Sequence, residues 1–132
     1  MSKLLTRDQI LKAEDIEEKY VEVPEWGGKV LVRGLTGKER DAYEKSLVEG
    51  KGKNKQINMD NARAKLVAIT VVDENRKPIF TKDDIEALGK KSGRALSRVW
   101  VAATELSGIG EEELEELTKN SESIPEDSSA SN

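Results

Sequence analysis

The sequence of 132 residues contains no cysteine and no histidine. That excludes disulfide scaffolds, Cys/His zinc sites, thiol nucleophiles and imidazole general bases. Ser-His-Asp and Cys-His catalysis are excluded with them. Aromatic residues are 4% of the chain and prolines number three. The longest uninterrupted apolar run, Val99 to Ala103, is five residues, against roughly 20 needed to span a bilayer. MSKLLTRDQI has no apolar h-region, so no secretory leader is expected, and a soluble protein with no membrane partner is anticipated. Enzymatic chemistry would have to come from carboxylates, Lys, Tyr or an oxygen-ligated metal.

Charge, by contrast, is abundant. Charged residues are 36% of the chain and the formal net charge is −4. From Glu111 to Asn132 there are eight acids and one base, a net −7. The first 110 residues hold 21 bases and 18 acids, a net +3. The low isoelectric point therefore comes from the C-terminal segment and says little about what the body binds. Leu, Ile, Val and Phe together number 31, enough for one thin core at the usual scale of about 100–200 residues per domain.

Local signals place the elements. Thr6-Arg7-Asp8-Gln9 fits a capping box and predicts a short helix to about Asp15, with Ile10, Leu11 and Ala13 on a narrow apolar face. Tyr20–Val23 and Lys29–Arg33 around Gly27-Gly28 predict an antiparallel hairpin over about 19–34. Thr36-Gly37-Lys38-Glu39 opens a second helix to about Val48, with Ala42, Tyr43 and Leu47 inward. The stretch 50–56 has no apolar residue and reads as a mobile loop. A third helix over about 58–71 carries Met59, Ala62, Leu66 and Ile69 in one stripe, widened by Val67, Ala68 and Val71, and should be the most buried. Ile79-Phe80 reads as a short extended piece. Thr81 caps a fourth helix ending near Gly89, and Ser92 a fifth that runs from Gly93 to Ser107 and stops at Gly108. Glu111–Lys119 reads as a sixth helix, and residues 120–132 as a disordered Ser-rich acidic tail.

The expected fold is α+β, mainly α-helical. A helix and a hairpin pack on a bundle of four to five helices, in a single domain over 1–119.

Candidate chemistry is sparse. The carboxylate pairs Glu14-Asp15, Glu17-Glu18, Asp73-Glu74 and Asp83-Asp84 read better as caps and solvated turns than as metal sites. Asp73-x-Asn75-x-Lys77 begins like a calcium loop, but Lys77 stands where an oxygen ligand belongs and Pro78 where glycine belongs. Gly50-x-Gly52 lacks the strand, third glycine and helix of a phosphate loop. No catalytic residue, metal or cofactor is expected. Lys51, Lys53, Lys55, Arg63 and Lys65 form one basic stretch, and Lys90, Lys91, Arg94 and Arg98 another. They support an alternative reading of nucleic-acid association through 51–65 and 90–98, weakened by the lack of aromatic stacking platforms.

Apolar side chains are the better candidates for a partner. Leu96, Val99, Ala103 and Leu106, spaced 3, 4, 3 with Trp100 at their flank, form a helical seam. Packing inside the domain is the main use expected of it, with partner contact the alternative. Trp26, in a tight turn, either folds back on Tyr43 or on the helix opened by Thr36, or stands at a hairpin tip as an interface anchor.

LLTRDQILKA (4–13), VEVPEWGGKVLVRGLTGKERDAYEKSL (21–47) and VVDENRKPIFTKDDIEALGKKSGRALSRVWVAATELSG (71–108) together resemble the tail assembly chaperones of long-tailed, siphovirus-type bacteriophages and related prophages. The resemblance covers roughly residues 3–109 as a pattern, not as one motif. It implies a protein without an active site that binds the tape measure protein and keeps it soluble until tail tube subunits displace it. It also implies a longer frameshifted form that recruits tube protein, and self-assembly into rings or filaments. The site of action would be the cytoplasm of the infected or lysogenic host, with the protein absent from the mature virion.

Overall fold

The computed structural model describes residues 2–50 and 52–110. The anticipated sixth helix at Glu111–Lys119 and the tail over 120–132 lie outside the described residues. In chain order the elements are α1 (Arg7–Lys12), β1 (Glu18–Val23), β2 (Gly28–Arg33), α2 (Gly37–Ser46), β3 (Val48–Glu49), β4 (Gln56–Ile57), α3 (Ala62–Thr70), β5 (Val71–Val72), α4 (Ile85–Gly89) and α5 (Gly93–Ser107). Short 3-10 turns occupy Pro24–Trp26, Gly52–Asn54 and Lys82–Asp84. The class is α+β, as expected.

Three helices start where capping chemistry put them. Thr6 accepts from the Gln9 N–H and Gln9 accepts from the Thr6 N–H. Thr36 and Glu39 exchange the same pair of bonds at α2. Ser92 Oγ accepts from the Ala95 N–H at α5, and Gly108 closes that helix at φ 72°, where a left-handed backbone favours glycine.

A three-stranded antiparallel sheet has the order β1-β2-β5, with Tyr20 opposite Leu31 and Val32 opposite Val71. Strand alternation separates two buried layers. Val32 and Val71 belong to the main cluster, while the next register pair, Leu31 and Val72, is buried outside it. The main core gathers Val23, Leu47, Leu66, Val67, Val99 and Ala103 with other side chains from both sheet and helices. Each Val or Leu side chain buried there contributes about 1.5–3 kcal/mol.

α3 is the most buried helix, as its broad apolar pattern indicated: six of its nine residues are buried. It is shorter than the sequence suggested. It begins at Ala62 after Asn61, whose φ is 60°, and Met59 lies outside it, largely exposed. It ends at Thr70, because the β-branched pair Val71-Val72 leaves the helix to become the third strand. α2 likewise stops at Ser46, since Val48 enters β3. Beside Lys51, the stretch expected to be a mobile loop carries a 3-10 turn over Gly52–Asn54 and a strand residue at Gln56. Val48 pairs with Ile57 and Glu49 with Gln56, the Asn58 N–H donates to the Leu47 carbonyl (2.6 Å), and a 3-10 turn fills the end. α1 stands apart from this body and buries none of its residues.

Candidate partner-binding surface

The seam on α5 divides in two. Leu96, Val99 and Ala103 are interior and hold α5 against the rest of the domain. Trp26, Trp100 and Leu106 are only partly buried and pack on the core from its edge. The Arg63 guanidinium lies 5.6 Å from the centre of the Trp100 ring, covering one face of it. The turn bearing Trp26 rests on α5 and β2. Arg98 on α5 ties it down with two bonds to Glu25, of 2.9 and 3.1 Å. The hydrogen bonds from Arg98 hold the Glu25 carboxyl below the usual carboxylate range. Arg63 and Arg98, taken from the two basic stretches, are therefore already engaged within the chain.

A second surface was not visible in the sequence. A groove runs between α2 and α3 and ends on the 3-10 turn before α4. Its main part, about 410 Å³, is lined by Glu39, Ala42, Tyr43, Lys65, Ile69 and Ile85, among others. It continues into a second depression of about 250 Å³ that shares Glu39, Ile69, Lys82 and Ile85 and adds Ala68, Pro78 and Phe80. The floor is thus aliphatic and aromatic, and cations stand at the rim.

Local chemistry builds each wall. The Tyr43 hydroxyl donates to the Ala62 carbonyl (3.0 Å) and locks α2 to the start of α3; burial pushes that phenol's pKa up. The Thr36–Glu39 box aims Glu39 back toward β2, where Arg33 grips both of its oxygens. The Thr81 N–H donates to Asp84 Oδ2 (2.8 Å), which sets the turn carrying Lys82 and Ile85. Lys65 Nζ donates to the Ser46 carbonyl at 3.0 Å. Neither Lys65 nor Lys82 has an ion pair among the described residues.

Ala42, Ile69 and Ile85 look like ordinary inward helix positions in the sequence. Only the tertiary arrangement shows that Ala42 is exposed and that Ile69 and Ile85, packed on the core from its edge, are half-buried. Such a groove suits an apolar face of a helix or an extended apolar segment. It offers no convergent carboxylates: no group of three or more Asp or Glu able to hold a metal ion occurs among the described residues. No helix among the described residues is long and apolar enough to cross a membrane.

Residues 6–120 match the family model described as phage tail assembly chaperone. The chain belongs to that family. Among curated proteins, none matches the sequence. Among solved structures, the tail assembly chaperone of bacteriophage HK97 is similar, with a TM-score of 0.53 and 23% identity over 79% of this chain and 95% of that one. At that identity the likeness speaks for the fold. A tail assembly chaperone has an assembly role. The family match runs ten residues past Gly110, so the first part of the acidic segment, up to residue 120, falls inside the region shared by the family.

Proposed function

We propose that this tail assembly chaperone binds the tape measure protein, holds its apolar stretches in solution and hands it to tail tube subunits as they polymerise. The observation that carries this reading is the open apolar groove between α2 and α3, where Ala42 is exposed, Ile69 and Ile85 are half-buried, and lysines stand at the rim. A groove of this kind takes the apolar face of an amphipathic helix, with the rim cations setting its orientation. Trp26, Trp100 and Leu106, at the edge of the core, extend the contact surface on the α5 side. Recruitment of tube protein would fall to a longer, frameshifted form of the chain, in the cytoplasm of the infected or lysogenic host. Nucleic-acid binding has weaker support, because Arg98 and Arg63 are engaged by Glu25 and Trp100.

Co-expression tests the reading. The tape measure protein of the same phage should accumulate in soluble form with this chaperone, and should co-purify with it. Unchanged solubility together with no co-purification overturns the proposal. Binding to DNA or RNA that falls steeply with salt would favour the alternative.

A further inference from the structure

The smaller depression of the groove opens beside the point where the chain leaves the described body. Arg33 and Glu39 line it. Gly34, next to Arg33, faces the end of α5 so closely that a Cβ on it would stand 2.5 Å from the Leu106 carbonyl oxygen. The Leu35 N–H donates to Ser107 Oγ at 3.0 Å, and the Ile109 N–H to the Thr104 carbonyl at 2.9 Å. Ile109 is buried and Gly110 exposed. The chain therefore emerges at the β2–α2 junction, whose Arg33 is part of the groove wall.

The depression has an apolar floor and a cationic edge. Ile69, Phe80 and Ile85 pack on the core from outside and are half-buried. The charged residues in its lining are Arg33, Lys82 and Glu39. Arg33 and Glu39 neutralise each other, which leaves the positive charge of Lys82. Lys82 has no ion pair among the described residues, and neither has Lys38, exposed in the first turn of α2.

The sequence directly after Gly110 is complementary in both respects. Glu111, Glu112, Glu113, Glu115 and Glu116 surround Leu114 and Leu117. Two leucines three apart share one face of a helix, the pattern that an apolar groove accepts. The seven residues to Leu117 reach about 10 Å as a helix and about 23–25 Å extended, against a diameter of about 10–12 Å for a helix such as α2. So short a tether holds the segment near the groove at an effective concentration on the order of millimolar, so a weak contact suffices.

We propose that residues 111–117 dock in the Phe80–Ile85 depression of their own chain, with Leu114 and Leu117 on its floor and Glu115 and Glu116 against Lys82. The acidic segment is then an internal competitor. A client that lies along the whole groove has to displace it, and its apparent affinity falls with the fraction of time the groove is open. A segment docked for about four-fifths of the time weakens the client about fivefold. The docking stands on the groove and the segment alone; only the competition rests on the proposed function.

The absence of cysteine makes the test direct, because an introduced thiol is unique. Pro78 lines the depression and is exposed, so Pro78→Cys in the full-length chain reports on cover by its rate of maleimide labelling. Adding Leu114→Asp and Leu117→Asp should raise that rate about fivefold, the gain expected on emptying a site filled about four-fifths of the time. Ala87→Cys, exposed on α4 outside the groove, should label equally in both backgrounds. Lys82→Glu should give the same gain at Pro78→Cys, and adding Glu115→Lys and Glu116→Lys should cancel it. Oxidation of Lys82→Cys/Glu116→Cys should close a disulfide within one chain, well above that of Lys90→Cys/Glu116→Cys. Equal labelling with and without the leucines overturns the proposal, as does no excess of disulfide over that control. Protection lost on dilution, or a disulfide only between chains, also overturns it. Capture of the tape measure protein is scored separately on the Leu114→Asp/Leu117→Asp chain and should strengthen. Equal capture by both chains overturns the competition; no capture by either, with the thiol released, overturns the client reading and leaves the docking in place.

Discussion

Arg33 at the end of β2 grips Glu39 in the first turn of α2 through two parallel bonds, Nη1 to Oε1 at 2.7 Å and Nη2 to Oε2 at 2.8 Å. Glu39 also accepts from the Thr36 N–H. One carboxylate thus caps a helix, anchors a strand and forms part of a groove wall. The Arg33 hydrogen bonds, reinforced by Thr36, hold its pKa down to about 2 from an ordinary 4.5. A carboxyl depressed in the folded state adds stability that is complete above the unfolded pKa and is lost as pH falls through the folded one. The window is therefore from about pH 4.5 down to about 2. The Glu39 side chain is 37% exposed, and solvent screening limits the contribution to about 1 kcal/mol. Glu39→Gln should cost about that much at neutral pH and flatten the acid limb of the thermal midpoint. Superimposable pH profiles for the two proteins would rule out this role for the pair.

Gly34 is required for a reason unrelated to backbone freedom. A Cβ at this position would stand 2.5 Å from the Leu106 carbonyl oxygen and 3.0 Å from its carbon. Both are backbone atoms of α5 and cannot swing aside. Beside it, the Leu35 N–H donates to Ser107 Oγ at 3.0 Å, so the end of α5 is held on both counts. Gly34→Ala should destabilise the domain by about 1–3 kcal/mol, the range for overpacking. Gly37 meets nothing within 4 Å, so Gly37→Ala should be far milder. Urea midpoints of the two variants measure the contrast.

Tyr43 separates hydrogen bonding from packing. Its ring is buried and its hydroxyl donates to the Ala62 carbonyl. Tyr43→Phe keeps the ring and should cost about 1 kcal/mol. Tyr43→Ala removes the ring from the α2–α3 contact and should cost about 3–5 kcal/mol. Equal losses in chemical denaturation would mean that the hydroxyl, not the ring, joins the two helices.

Features written in short-range chemistry were legible in the sequence. The boxes at Thr6 and Thr36 and the Ser92 and Gly108 ends of α5 depend on residues three or four apart, and all stand where the sequence put them, whereas Thr81 opens a 3-10 turn ahead of α4 and not the helix itself. β5 was not legible because Val71-Val72 follows Thr70 with no turn residue, and the same apolar side chains satisfy a helical stripe. Only their partner on β2, far away in sequence, decides between the two. The β3–β4 pairing beside Lys51 is not legible in the sequence because it joins Val48 to Ile57 and Glu49 to Gln56 across a run with no apolar residue. The candidate surface was harder still. Leu96, Val99 and Ala103 were read as a seam, and they are one, but they are spent on the interior. The groove residues Ala42, Ile69 and Ile85 have the same helical spacing as fully buried ones, and periodicity cannot tell which apolar face is left partly open.

Ala42 offers the sharpest probe of the groove, because it is exposed, lines the cavity and holds none of the core together. Ala42→Glu places a carboxylate where a bound apolar helix would strip it of water. An unpaired polar group buried in this way costs about 1–3 kcal/mol, and 1.4 kcal/mol is a factor of ten in affinity. Capture of the tape measure protein should therefore weaken by about tenfold, with the thermal midpoint of the chaperone essentially unchanged. Ala87→Glu, on an exposed position of α4 outside the groove, should leave capture intact. The comparison is made by pull-down and by soluble yield on co-expression. If both variants capture the client like wild type, the client contacts lie elsewhere, and Trp26, Trp100 and Leu106 at the edge of the core become the next residues to alter.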